Sequence, residues 1–116
     1  MLKPLGPYVL VKKANNFYFI SGLLPIEPST GSIIEGDDYK RFKQVFENLI
    51  EVLNANSLSL NDIIKVTVYL KSRNSKLFNE VYKQYFKDNL PARTLIFVDN
   101  LPMDADVEID AIAYKE

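Results

Sequence analysis

A sequence with no histidine and no cysteine must do any chemistry with carboxylates, hydroxyls, amides, arginine, lysine or backbone groups. The commonest general base, the commonest zinc ligand and the thiolate nucleophile are all missing. So is any disulfide framework or sulfur-ligated metal. Of what remains, Arg93 stands out. It follows Pro91-Ala92 at the entry to an apolar run, where a guanidinium offers a planar fork that grips a carboxylate by two parallel hydrogen bonds at any working pH. Two acidic pairs come later, Asp104/Asp106 and Glu108/Asp110. Alternate residues of a strand share a face, so Glu108 and Asp110 point the same way and could serve acid–base chemistry. Plainer readings stand beside these: a surface arginine at a strand edge, and a solvated strand face. The residue pattern leaves both open. Gly22, Gly31 and Gly36 are too sparse for a phosphate cradle, and helical aromatics such as Phe46 and Tyr82 read as core.

The elements that must position these groups follow from the periodicity. Val9 to Lys13 and Phe17 to Ser21 are β-rich runs around a turn at Ala14-Asn15-Asn16. Gly22 to Gly36, with Pro25, Pro28 and Gly31, reads as a loop holding a brief strand at Ile33-Ile34. Asp37 or Asp38 then caps an amphipathic helix running to about Asn54. Ile64, Val66, Val68 and Leu70 alternate with polar partners and predict a strand with one apolar face. Leu77, Phe78, Val81, Tyr82, Tyr85 and Phe86 mark a second helix, broken before Pro91. Thr94–Val98 and Val107–Tyr114 are the last strands. The order β-β-α-β-α-β-β supplies two helices for about five strands, enough to cover one sheet face only. The other face, bearing residues such as Tyr69, Phe97 or Ile112, is too apolar to leave in water, which predicts self-association.

Size and charge bound the rest. The 116 residues form one domain, residues 1–116, with 47% hydrophobic content and a formal net charge of −1. Nucleic acid is not an expected partner, because a phosphate-binding face is normally more basic and more concentrated. The basic cluster Lys40, Arg41 and Lys43 reads as a solvated helix face. No apolar stretch approaches the roughly 18 residues of a membrane span. Met1-Leu2-Lys3-Pro4 also lacks the basic segment and apolar run of a secretion signal. The expected location is cytoplasmic, without a membrane partner.

The run from Pro91 to Pro102, Pro-Ala-Arg-Thr-Leu-Ile-Phe-Val-Asp-Asn-Leu-Pro, followed by Val107-Glu108-Ile109-Asp110-Ala111-Ile112-Ala113, closely resembles the C-terminal signature of the Rid family, the reactive intermediate deaminases. That family has also been described as endoribonuclease or translation-inhibitor proteins. Gly6-Pro7-Tyr8, Ser21-Gly22 followed by Pro25, and the helical Phe78-Asn79-Glu80-Val81-Tyr82 are similar in order and spacing, so the resemblance spans nearly the whole chain.

The resemblance implies an α+β, chorismate-mutase-like fold with a mixed sheet, two helices on one face, and assembly as a homotrimer with clefts between subunits. It implies cofactor-independent hydrolysis of enamine/imine acids, 2-aminoacrylate and 2-iminobutanoate, to 2-oxo acids and ammonia. By the same likeness Arg93 binds the substrate carboxylate and Glu108 handles the attacking water. Tyr8 and Asn79 line the cleft, Ser21 and Gly22 flank it in a loop, and the backbone around Thr94 and Leu95 contacts the imine or the water. No metal and no cofactor are implied. The chain departs from the family pattern at Leu95, where many members have cysteine. It departs also at Leu23, commonly glutamine or histidine, and at Asp99. Leu23 and Leu95 are expected to make the cleft more apolar. Two other activities compete: a non-catalytic binder of small carboxylic acids, and an endoribonuclease.

Overall fold

Two amphipathic helices begin where side chains satisfy their free backbone donors, in a computed structural model that describes residues 2–116. Asp37 accepts from the Lys40 amide at 3.0 Å and starts α1 (Asp38–Ala55). Asn74 accepts from the Leu77 amide at 3.2 Å and starts α2 (Ser75–Phe86). Each helix turns an apolar stripe inward, and the stripes meet as an aromatic cluster. Phe46 stacks on Tyr85 at 4.9 Å between centroids, and Phe42 meets Phe78 edge-on at 5.3 Å. Fully burying Phe42, Phe46 and Phe78 contributes roughly 1.5–3 kcal/mol each.

The strands are β1 (Val11–Ala14), β2 (Phe17–Leu23), β3 (Ile26–Glu27), β4 (Ser32–Ile33), β5 (Ile63–Leu70), β6 (Ala92–Phe97) and β7 (Val107–Tyr114). Five of them form one sheet in the order β1-β2-β7-β5-β6. Only β5 and β6 run parallel, joined by the crossover helix α2, so the sheet is mixed. Val66, Val68 and Leu70 of β5 and Val107, Ile109, Ala111 and Ala113 of β7 pack under the helices. The opposite face carries Phe17, Phe19, Thr67, Tyr69, Ile96 and Ile112 with no element of this chain over it among the described residues; Phe19 is 45% and Ile96 43% exposed. The expected two-helix, one-sided α+β architecture is present.

Several local expectations change. Gly22 and its neighbours are not a loop: β2 continues to Leu23 through a bulge, in which Ser21 and Gly22 together oppose Asp110. The stretch beyond folds as a small hairpin, β3 with β4. Ile64 is the extra residue of a second bulge and lies 44% exposed, so Ile63 takes its place in the core. Phe97 pairs with Leu70 and therefore shares the helix-covered side, beyond the helices' reach, with Arg73 lying 5.1 Å over its ring. Arg41 is no plain solvated cation. Its Nε donates to Asp106 at 2.7 Å and its Nη2 to Asp38 at 3.0 Å, tying the start of α1 to the entry of β7. The Asp104/Asp106 pair is thereby structural, since Asp104 is taken by Lys71.

Candidate functional site

The bulge in β2 and the start of β7 build an open cleft of about 460 Å³, lined among others by Tyr8, Leu10, Ser21, Gly22, Leu23 and Glu108. The N-terminal segment is held over it by Ser21. The Ser21 hydroxyl donates to the Val9 carbonyl at 2.7 Å, and its amide donates to the Leu10 carbonyl at 2.9 Å. Ser21 thus serves as a clamp for the segment carrying Tyr8. The Tyr8 hydroxyl in turn accepts from the Leu5 amide at 3.1 Å. On the far side Asn48, 1% exposed, donates to the carbonyls of Leu24 and Ile26, both at 2.9 Å, and fixes the cleft wall they form.

Glu108 is half-buried in this cleft, and its carboxylate lies against the α-carbon of Gly22. A methyl group on Gly22 would stand 2.0 Å from Oε2, so only glycine leaves the carboxylate its position. Burial pushes the Glu108 carboxyl above the ordinary carboxylate range, and the neighbouring Asp110 charge adds to the shift. Asp110 does share the Glu108 face, as strand spacing requires, and accepts from the Tyr69 hydroxyl at 3.0 Å. That bond to Asp110, with burial, raises the phenol of Tyr69.

Arg93 sits elsewhere. Its Nη1 donates to Asn79 Oδ1 at 2.8 Å, and its guanidinium carbon lies 4.8 Å from the Tyr82 ring centroid. Asn79 therefore acts on Arg93. The Tyr82 phenol, desolvated in the helix cluster, is pushed up to about 12, with the Arg93 charge opposing the rise. Thr94 points to the other face, where its hydroxyl accepts from Lys65 Nζ at 2.8 Å. The Leu95 side chain packs against the core under the helices, so it does not narrow the Glu108 cleft. Leu23 lines that cleft while 4% exposed.

The expected residues thus fall into two groups. Tyr8, Ser21, Gly22 and Glu108 meet in the cleft; Asn79 and Arg93 meet at the sheet edge. Arg93 pairs with Val66 and Glu108 with Tyr69. Val66 and Tyr69 are three residues apart on β5, and an odd offset puts their partners on opposite sheet faces. Within one chain the two groups cannot reach a common ligand. Tyr82 and Asn48 were missed as contributors because an apolar helix stripe marks both positions as core. For Tyr82 the available signal is its spacing of three from Asn79. Among the described residues no cluster of three or more acidic side chains could hold a metal ion, and no helix is long and apolar enough to cross a membrane.

Comparison with known proteins bears on the whole chain. Residues 1–115 match the family model described as Endoribonuclease L-PSP. A RutC family protein of Pyrococcus horikoshii is 52% identical over 98% of this chain and 91% of its own length. A mouse protein named 2-iminobutanoate/2-iminopropanoate deaminase is 38% identical over 96% of this chain and 83% of its own. The crystal structure of E. coli TdcF with bound serine aligns with a TM-score of 0.90 at 37% identity, covering 97% of this chain and 91% of that one.

Proposed function

Because the chain belongs to the Rid family, described also as endoribonuclease L-PSP, an imine deaminase in general kind, we propose that it hydrolyses small 2-imino and 2-enamino acids such as 2-iminobutanoate and 2-aminoacrylate. The products are 2-oxo acids and ammonia. The observation that carries this reading is Glu108: a half-buried carboxylate with a raised affinity for protons, held in a cleft beside Tyr8. Such a group is a better base near neutrality than a solvated glutamate. An imine is already electrophilic, so the protein needs to orient it and present a water rather than build a strong nucleophile. Glu108 takes a proton from the water as its oxygen bonds to the imine carbon. The C=N π pair moves to nitrogen, which takes that proton back from Glu108. Glu108 then carries the hydroxyl proton to nitrogen, so the carbonyl forms as the carbon–nitrogen bond breaks and ammonia leaves. Among the described residues Arg93 has no partner at Nε and Nη2, which leaves them for the substrate carboxylate, a group these substrates share with the serine bound by TdcF.

A site that uses both Arg93 and Glu108, which face opposite ways, needs two copies, and the apolar uncovered face supports a contact between copies. We take the assembly to be the homotrimer that the family resemblance implies, with Arg93 of one copy facing Glu108 of the next. The net charge of −1 disfavours the phosphate backbone an endoribonuclease must hold.

The test is activity in a coupled assay, in which a threonine dehydratase supplies the imine and 2-oxobutanoate release is followed. Arg93→Ala and Glu108→Gln are each expected to be inactive, and their equimolar mixture, refolded together, to recover about a quarter of the wild-type sites. A silent mixture refutes the shared site. A wild-type protein that speeds no imine, yet binds 2-oxo acids, is a binder instead.

A further inference from the structure

Arg93 stands on the outermost strand of the sheet, β6, where a long side chain has many rotamers and a neighbouring strand on one side alone. Two groups on α2 confine it. Asn79 and Tyr82 are three residues apart and so lie on one helix face. Asn79 takes Nη1 at 2.8 Å, and the Tyr82 ring lies under the guanidinium at 4.8 Å. The Tyr82 ring is itself closely packed. It is 5% exposed, and Phe86, Phe46 and Phe78 surround it with centroids at 4.6, 5.8 and 6.0 Å. By contrast, the ring under Arg73 is Phe97, which is 45% exposed.

We propose that Tyr82 is a positioning residue: its buried ring face, with the Asn79 amide, fixes the Arg93 guanidinium so that Nε and Nη2 stay free for an anionic ligand. The attraction is that of a cation for the negative face of an aromatic ring, and only the ring is needed. The Tyr82 hydroxyl is buried and has no hydrogen-bond partner among the described residues. The catalytic consequence rests on the deaminase reading above; the orientation of Arg93 does not.

Tyr82→Phe keeps the ring, whereas Tyr82→Leu removes it. KM for the imino acid is expected to rise about three- to thirty-fold in Tyr82→Leu, with kcat nearly unchanged and Tyr82→Phe within about twofold of wild type. Should Tyr82→Leu fail to fold, phenylalanines of increasing ring fluorination at position 82 keep the shape while emptying the ring face, and KM should climb along the series. A flat series overturns the proposal. The Arg93 Nε–H resonance supplies a reading independent of turnover. It should be shifted by the ring current in wild type and Tyr82→Phe, and return to its free value in Tyr82→Leu. An unshifted wild-type resonance overturns the proposal even in an active enzyme. A shifted one in a protein that hydrolyses no imine upholds Tyr82 and sinks the deaminase.

Discussion

Gly22→Ala separates catalysis from stability. The added methyl would sit 2.0 Å from Glu108 Oε2 and 3.0 Å from the carboxyl carbon, whereas ordinary contact begins near 3.5 Å. The carboxylate must therefore move by roughly 1–1.5 Å. It is the far end of a flexible side chain in an open cleft, so the backbone need not shift. The Gly22 backbone is not in the left-handed region either, and alanine there gains about 0.4–1 kcal/mol from the restricted unfolded chain. Folding free energy should thus change by less than about 1 kcal/mol, the gain offsetting the cost of the moved carboxylate. Catalysis should fall much further, since displacing a group by about 1 Å costs on the order of a hundredfold in rate. Urea unfolding and the coupled 2-oxo acid assay, run on the same preparation, measure both. Full kcat in Gly22→Ala would mean that Glu108 does not handle the water where it now lies. A loss above about 3 kcal/mol would mean that the clash is borne by the backbone of the bulge.

Two further outcomes follow from the same groups. Glu108 binds protons more tightly folded than unfolded, so its charge opposes folding above the raised value, and that opposition fades as pH falls towards the ordinary 4.5. Glu108→Gln should therefore abolish activity yet raise the melting temperature by up to a few degrees at pH 7–8, a gain that calorimetry should find absent below about pH 4. Asn48→Leu should destabilise the fold by about 2–4 kcal/mol in urea titration, because the Leu24 and Ile26 carbonyls lose their one side-chain donor among the described residues.

The periodic elements were legible because they rest on local chemistry. Asp37 caps α1, the stripe from Phe42 to Leu53 recurs every three to four residues, and Val107–Tyr114 alternates without interruption. Each signal lies within a few residues of the structure it dictates. The one-sided sheet was legible too, since two helices cannot cover both faces of five strands. The bulges were not. An extra residue at Gly22 or Ile64 shows only when the partner strand is present to be out of step, and the partner of β2, β7, lies some ninety residues on.

The candidate site divides along the same line. Residue type admitted Arg93 as a carboxylate grip and Glu108 as an available base beside plainer readings, and the family resemblance assigned those roles. Which face each side chain takes depends on register across three strands, a relation between distant segments that no local spacing encodes. Tertiary structure therefore decided that the two groups back onto opposite sides of one sheet, that Asn79 and Tyr82 belong to Arg93, and that Leu95 packs in the core. Side-chain chemistry is written one residue at a time, whereas proximity between distant segments exists only once the strands have paired.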